Sequence, residues 1–267
     1  MTEHAAPDPF ADFDGLWIAM LPDLQPITPP DGDPAPYFRK AFHLDAPPVK
    51  AEIRFCGLGY GELRVNGRKV SDDVLQPPFT RYDARFLYST YDVTDLLAEG
   101  DNVVGAIVGN GMYNVIQKNP WNFDTAPWRS HPKMALSARI ELADGRVVRF
   151  RSDTSFRVAR GPILWHVLHE GEYYDARLER EGWDRPGFDD RDFGPVFLCR
   201  PPGGVPMPMD MEPCRVVRRL RAKSLREVRP GVWLYDFGEN IAGWPALRVR
   251  GPAGTAVTLR CTEKLGA

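Results

Sequence analysis

Short stretches in which apolar and polar residues alternate recur along this chain, between glycines and prolines that occur at short intervals. Eight stretches carry the period-two, β-branched or aromatic pattern that is typical of strands. They are residues 50–55, 62–65, 103–108, 135–142, 147–150, 233–235, 247–249 and 257–261. This pattern predicts an all-β fold, a sandwich or a barrel.

Turn signals divide the predicted strands into hairpins. Asn66-Gly67 and Asp144-Gly145 each stand between two alternating stretches, which predicts two-residue hairpin loops that fix the strand register. The clearest helical signal is a single turn over residues 92–97. Thr94 is its predicted cap, and Gly100 is its predicted end.

Two segments without periodicity suggest the domain organisation. The first 35 residues are rich in proline and predict an extended arm along a domain edge. Residues 200–208 are rich in proline and glycine and predict a linker, with a domain boundary near residue 205. We therefore expect an arm at 1–35, a β-sandwich at 36–205 and the beginning of a second β-sandwich at 206–267.

The last segment, 206–267, has too few strands to close a sandwich. Three short strands leave one apolar face and at least one backbone edge uncovered. We expect this segment to pack on the first domain, to pair with another copy of the chain, or to open a domain whose remainder lies outside this sequence. The alternation at 247–250 predicts a concealed surface on the side of Leu247 and Val249.

Composition narrows the functional classes. Lysine and arginine number 34 against 36 aspartates and glutamates, so no bulk charge draws the protein to nucleic acid. No apolar run approaches the roughly 20 residues of a membrane span, and the N-terminus lacks signal-peptide features, so we expect a cytoplasmic protein. The four cysteines show no Cys-x-x-Cys spacing, which excludes zinc ribbons and predicts reduced, mostly packed thiols.

The segment 119–131 has the strongest chemical composition for a binding loop. Aromatic rings alternate there with amides, a carboxylate and a guanidinium, which suits a sugar because a pyranose stacks on a ring while its hydroxyls need polar partners. The predicted ligand-binding residues are Trp121, Asn122, Phe123, Asp124, Trp128 and Arg129. The alternative is that these rings plug one end of the sandwich or dock on a neighbouring domain.

No metal or other cofactor is predicted. Asn119, Asn122 and Asp124 could offer oxygens to calcium, but they lack a regular ligand spacing. His166 and His169 show no paired spacing and are interpreted as structural or solvent-facing.

A nucleotide site is not predicted either. The string Gly57-Leu58-Gly59-Tyr60-Gly61 fails as a dinucleotide loop, because Glu62 replaces the third glycine and a strand follows in place of a helix.

Carboxylates cluster at residues 170–179. A glycosidase needs two carboxyl groups about 5 to 10 Å apart, and Glu170, Glu172 or Asp175 could supply them. Because Arg177 and two tyrosines alternate with these acids, a solvated or ion-paired strand edge explains the pattern better. The hypothesis of a glycosidase that uses its own carboxylates is kept as an alternative.

Several strings together resemble the N-terminal, non-catalytic part of bacterial α-L-rhamnosidases, glycoside hydrolase family 78. The resemblance covers about residues 36–267. The strings are residues 37–42 (YFRKAF), 57–67 (GLGYGELRVNG), 88–94 (YSTYDVT) with 100–102 (GDN), 109–113 (GNGMY), 171–177 (GEYYDAR) with 182–183 (GW), and 236–243 (DFGENIAG). Met112 departs from the family, in which tryptophan is common at this position.

The resemblance implies a galactose-binding-like jelly-roll β-sandwich at 36–205, followed by the start of a second, concanavalin-like sandwich. It also implies that the general acid and base lie on an (α/α)₆ barrel further along the parent polypeptide, so no catalytic residue is assigned to this chain. The implied partners are that barrel and a rhamnose-containing glycoside. We therefore expect an accessory region of an α-L-rhamnosidase, with a stand-alone carbohydrate-binding or interaction module as the alternative.

Overall fold

The computed structural model describes residues 13–23, 34–167, 171–252 and 254–263. Strands dominate it, and three short 3₁₀ helices span Thr94–Leu96, Phe123–Thr125 and Ala176–Leu178. The strands are β1 Ile18–Ala19, β2 Pro36–Leu44, β3 Pro48–Leu58, β4 Tyr60–Val65, β5 Arg68–Lys69, β6 Arg85–Asp92, β7 Gly100–Gly109, β8 Lys133–Leu142, β9 Val147–Arg151, β10 Arg157–Arg160, β11 Ile163–Val167, β12 Gly171–Tyr174, β13 Gly194–Pro195, β14 Phe197–Leu198, β15 Val205–Pro208, β16 Ser224–Arg229 and β17 Val232–Asp236.

Two antiparallel sheets form the body of the first part of the chain. Among the described residues, the larger sheet has the order β14-β1-β8-β3-β6-β15, with β9 paired to the far end of β8, and the smaller has the order β13-β10-β2-β7-β4-β5. Strand β15 pairs in parallel with β6, whereas the other pairs are antiparallel. The predicted all-β class is confirmed, and some strands that pair in a sheet, such as β4 and β7, are far apart in the sequence.

The inner faces of the two sheets form one hydrophobic core. Ile53 and Leu136 from the larger sheet and Phe38 and Val104 from the smaller sheet belong to the same buried cluster, each with 1% or less of its surface exposed. The alternation of β3 explains this: residues 51, 53 and 55 are buried, whereas 50, 52 and 54 are not. The predicted β-sandwich is therefore confirmed.

The two predicted hairpin loops differ in length. Asn66 and Gly67 both have positive φ, +48° and +82°, and connect the Val65–Arg68 pair as the predicted two-residue loop. At the second loop only Gly145 has positive φ, and its N–H donates to Leu142 O at 2.9 Å. The loop 143–145 therefore has three residues, a type I turn closed by a glycine bulge, and the two-residue prediction is wrong there.

The predicted helical turn is a 3₁₀ helix, and no side chain caps its first turn. Thr94 Oγ1 accepts from the N–H of Ala51 and donates to Asp92 Oδ1, so its oxygen binds a neighbouring strand and does not cap the turn. The carboxylate of Asp92 accepts from the Thr94 N–H at 3.0 Å, and these hydrogen bonds lower the pKa of Asp92. The Thr94 prediction is therefore wrong, and Gly100 begins β7 with a φ of +94°.

Within the predicted N-terminal arm, residues 13–23 take part in the sandwich. Strand β1 inserts between β8 and β14, and Phe13 and Trp17 belong to a second buried cluster with Tyr88. The buried Lys133 side chain donates to Asp23 Oδ1 at 2.9 Å and to Arg200 O at 3.2 Å. This ammonium group therefore connects the arm to β8 and to the residues after β14.

The chain divides into two compact units, Met1–Arg215 and Val216–Ala267. The predicted boundary near residue 205 falls in β15, which pairs with β6 inside the first unit. In the second unit, β16 and β17 form a hairpin, and residues 247–249 and 257–261 are not strands, contrary to the prediction. Leu247 and Val249 are 40% and 60% exposed, so no described residue covers the side on which burial was predicted.

Thiol packing differs from the prediction. The four cysteines are free, as predicted, but only Cys56 is buried, Cys199 is half-buried, and Cys214 and Cys261 are exposed. Burial raises the pKa of the Cys199 thiol to about 12. In the described ranges, no helix is long and apolar enough to cross a membrane.

Candidate functional site

The aromatic loop, residues 110–132, connects β7 to β8 at one end of the sandwich. Its tip is built by Asn119, whose Oδ1 accepts from the N–H of Trp121 at 3.0 Å and of Phe123 at 3.3 Å. Asn122 lies between them with a φ of +56°, a conformation that asparagine tolerates better than most residues. This turn holds the two rings side by side and leaves Trp121 outermost.

A chain of buried polar side chains supports the loop from below. Asn110 and Asn114 are each 1% exposed, and Asn114 Nδ2 donates to Asn110 Oδ1 at 2.8 Å. Arg129 then donates from Nε to Asn114 Oδ1 and from Nη1 to the carbonyl of Asp124 at 2.9 Å. Because buried hydrogen bonds are specific in direction, this network fixes the loop in one conformation.

The rings of the loop run from solvent to core. Trp121 is 63% exposed and stacks on Phe123, with centroids 6.2 Å apart and planes at 20°. Phe123 contacts Trp128, which is half-buried and meets Tyr82 edge-on at 6.1 Å. Trp128 therefore belongs to the packed end of the sandwich, and Trp121 presents a ring to solvent.

The remaining predicted site residues divide in the same way. Asn122 is exposed, and the Arg129 guanidinium is engaged in the supporting network. Asp124 Oδ1 and Trp128 Nε1 are enclosed, and no described residue gives either atom a hydrogen bond. Because both atoms are enclosed, they belong to the packed side of the loop and not to its exposed surface.

Phe79, Tyr82 and Tyr113 complete this aromatic cluster, and sequence reasoning did not select them. The ring of Phe79 lies 5.2 Å from that of Phe123, and Tyr82 meets Tyr113 at 5.2 Å. Burial raises the pKa of the Tyr82 and Tyr113 hydroxyls above the ordinary range of tyrosine. Phe79 and Tyr82 precede β6 and are remote from the loop in sequence, whereas Tyr113 belongs to the loop itself, before the segment that the sequence singled out.

A shallow pocket lies between the aromatic loop and the hairpin of β11 and β12. Its empty space is about 290 Å³ with open solvent included, and its enclosed part has room for about one water molecule. The lining residues are Gly111, Met112, Asn114, Val115, Asn119, Phe123 and Val167. The site is therefore a platform with a small depression, and it does not enclose a ligand.

The predicted carboxylate cluster does not form a catalytic pair in the described residues. Glu170 and His169 lie outside them. Asp175 accepts from Arg177 Nε and Nη2, and this ion pair lowers the pKa of Asp175 to about 2. A general acid needs a raised pKa, so the shift at Asp175 has the wrong sign. Glu172 is exposed on β12.

His166 has a structural role that agrees with its interpretation from the sequence. Its Nδ1 accepts from the Asn110 N–H at 3.0 Å, and its carbonyl accepts from Asn110 Nδ2 at 3.0 Å. These two bonds join β11 to the first residue of the aromatic loop. Within the described chain, no group of three or more potential ligand side chains could hold a metal ion.

Comparison with known families gives two adjoining matches. Residues 46–218 match the α-L-rhamnosidase N-terminal domain, and residues 226–267 match the bacterial α-L-rhamnosidase concanavalin-like domain. The first match covers most of the first compact unit, and the second lies within the second unit.

Individual relatives are longer proteins. An α-L-rhamnosidase of Streptomyces avermitilis is 37% identical over 240 residues, which are 88% of this chain and 23% of the relative. An α-L-rhamnosidase of Formosa agariphila is 33% identical over 90% of this chain and 25% of its own length. The chain thus spans about a quarter of the relatives that it matches.

Solved structures agree with the fold. The Streptomyces avermitilis α-L-rhamnosidase complexed with L-rhamnose aligns with a TM-score of 0.73 and 33% identity, over 80% of this chain and 21% of that chain. The α-L-rhamnosidase of Aspergillus terreus aligns with a TM-score of 0.77 and 29% identity, over 88% of this chain and 27% of that one.

Proposed function

The chain belongs to the α-L-rhamnosidase N-terminal domain family, and from that membership we propose that it is the accessory β-sandwich region of a longer α-L-rhamnosidase. In this role it supports and orients a catalytic (α/α)₆ barrel, which in family 78 carries the general acid and base. The length of the relatives supports the proposal, because about three quarters of each relative's length lies outside the matched region.

The second unit offers independent support for a larger parent protein. No described residue of 216–263 is buried, and Trp233, Trp244 and Leu259 are each more than half exposed. A folded protein normally covers so many large apolar side chains. We propose that the rest of the concanavalin-like domain covers them in the parent polypeptide.

The first unit also contacts carbohydrate in this proposal, through the aromatic loop. The observation that carries it is the exposed ring of Trp121, held beside Phe123 by a loop that a buried amide network makes rigid. A preorganised aromatic face at low entropic cost is what sugar stacking requires.

The test is titration of the 267-residue chain with L-rhamnose and with a linear α-L-rhamnosyl oligosaccharide, followed by tryptophan fluorescence and NMR. Replacing Trp121 with alanine should cost about 1 to 3 kcal/mol of binding free energy, the scale of losing one aromatic face. Trp244→Ala is the matched control, because that ring is similarly exposed, at 62%, in the second unit. Spectra that do not move at millimolar sugar would favour docking of Trp121 on a neighbouring domain.

The catalytic alternative has a separate test. If the chain hydrolysed glycosides with its own carboxylates, it would release the aglycone from an aryl α-L-rhamnoside, and Glu172→Gln would abolish that turnover. The ion pair of Asp175 with Arg177 argues against this alternative, because it keeps the carboxyl group ionised. We expect no turnover by this chain.

A further inference from the structure

The hairpin of β11 and β12 carries a second aromatic pair at the surface. Trp165 and Tyr173 are opposite each other in the register and stack, with ring centroids 4.9 Å apart and planes at 26°. Tyr173 is 68% exposed, and Trp165 is half-buried. Exposed aromatic surface on a rigid element is typical of binding sites.

This hairpin is anchored to the aromatic loop by its opposite face. His166 and Glu172 pair on that face, and His166 Nδ1 accepts from the Asn110 N–H at 3.0 Å. At the other end, the Asp175 N–H donates to Pro162 O at 2.9 Å. The hydrogen bonds therefore hold the hairpin at both ends and leave the Trp165 face to solvent.

Val167 joins the hairpin to the shallow pocket. Side chains two residues apart in a strand share a face, so Val167 lies on the same face as Trp165. Val167 also lines the pocket together with Phe123, which stacks on Trp121. The distance from Trp165 to Val167 along the strand alone is about 7 Å at 3.3 Å per residue. The whole surface is therefore longer than one pyranose ring.

Charge around the hairpin selects against acidic ligands. Residues 163–167 and 171–179 contain three carboxylates, Glu172, Asp175 and Glu179, and one basic residue, Arg177, which is a net charge of −2. Arg177 is engaged by Asp175, and Glu179 accepts from the Tyr174 hydroxyl. The one cation of the described hairpin is therefore already paired, and the net negative charge disfavours uronates and sulfates.

We propose that Trp165 and Tyr173 form a second sugar subsite, so that the ligand of this surface is a neutral oligosaccharide of two or more residues. This inference rests on the proposed sugar contact at Trp121 and extends it to the neighbouring hairpin. One sugar stacks at the Trp121 end, and the next sugars cross the pocket toward Trp165 and Tyr173.

The test compares L-rhamnose with linear α-L-rhamnotriose as probes of the full chain by isothermal titration. Trp165→Ala and Tyr173→Ala should each weaken binding of the trisaccharide about 5- to 20-fold and leave binding of the monosaccharide within about twofold. Trp121→Ala should weaken both probes. Leu164→Ala is the matched control, because Leu164 is 38% exposed in the same strand, next to Trp165, and has no aromatic ring, so it should change the binding of neither probe.

The outcomes separate the two proposals. If the trisaccharide binds and Trp121→Ala weakens it while Trp165→Ala and Tyr173→Ala do not, the second subsite is absent and the loop site stands. If the unsubstituted chain binds neither probe, the loop site fails and the subsite with it. A rhamnosyl oligosaccharide carrying uronate residues that bound more tightly than rhamnotriose would overturn the assignment to neutral ligands.

Discussion

The two compact units of this chain share one sequence pattern and differ completely in burial. In the first unit, alternating strands place Phe38, Ile53 and Leu136 in a core where each is at most 1% exposed. In the second unit, the alternating segments leave Trp244 and Leu259 more than half exposed, and no described residue of that unit is buried. Alternation therefore predicts which face of a segment is apolar, and not whether that face is covered.

Strand formation shows the same dependence on partners. Strands β3 and β8 pair along ten positions, from Pro48–Leu142 to Leu58–Lys133, and each has a further neighbour. Residues 247–249 have a similar pattern but no hydrogen-bonded partner among the described residues, and they are not a strand. A strand is stable only when its backbone groups are paired and its apolar face is packed.

The largest difference between the units should appear on truncation of an apolar side chain. Phe38→Ala removes a fully buried ring from the centre of the sandwich and should lower the free energy of unfolding by about 3 to 5 kcal/mol. Leu259→Ala, at a position 53% exposed in the second unit, should change it by less than about 0.5 kcal/mol. Urea unfolding followed by tryptophan fluorescence measures both. Similar losses in the two variants would contradict the contrast in packing.

A smaller difference is expected for charged pairs. Asp23→Asn leaves the 3%-exposed Lys133 ammonium without its carboxylate and should cost about 3 kcal/mol, whereas Glu239→Gln at the exposed Arg218 pair should cost at most about 0.5 kcal/mol. Urea unfolding at neutral pH compares the two variants. Equal effects would show that burial does not distinguish these pairs.

The Asp23 pair should also give the stability a pH dependence. Burial raises the pKa of Asp23, but the hydrogen bonds from Arg200 N–H and Lys133 outweigh it and lower the pKa below 3.8. A lowered folded-state pKa stabilises the protein above the unfolded value, and this stabilisation is lost as the pH falls through the folded value. The difference between the unsubstituted chain and Asp23→Asn should therefore shrink below about pH 4. If the difference in unfolding free energy stayed constant down to pH 2, it would come from packing and not from the ionised Asp23 carboxylate.

Much of the first unit was predictable from local signals. All five strands predicted in the first unit overlap observed strands, against one of three in the second unit, because period-two alternation, β-branched residues and turn residues act on neighbouring positions. The insertion of β1 between β8 and β14 was not predictable, since a two-residue strand carries no periodic signal. The role of Thr94 was missed for a similar reason: its preference for a cap position is local, but its hydroxyl accepts from the Ala51 N–H on β3.

The candidate site was predictable in composition and not in geometry. The sequence indicated an aromatic loop, but it could not separate the exposed Trp121 from Trp128, which packs against Tyr82 from a remote part of the chain. The network of Asn110, Asn114 and Arg129 depends on side chains up to 19 residues apart in the loop, and the sequence shows no spacing rule for it.

The hairpin turns of the two units give the smallest and most local comparison. Gly67 and Gly231 both have positive φ, +82° and +75°, in two-residue loops, so alanine at either position strains the backbone by about 1 kcal/mol. A Cβ at Gly67 would also lie 2.5 Å from Arg185 Nε, whereas a Cβ at Gly231 would meet nothing within 4 Å.

Hydrogen exchange should show that Gly67→Ala accelerates exchange of the amides of β4 and β7 together, because these strands open only with the sandwich. The expected acceleration is about five- to thirtyfold, which corresponds to a loss of about 1 to 2 kcal/mol. Gly231→Ala should accelerate only β16 and β17, which form an exposed hairpin. If Gly231→Ala also accelerated exchange in β4 and β7, the hairpin would be energetically coupled to the core, and the contrast between a closed and an open unit would have to be abandoned.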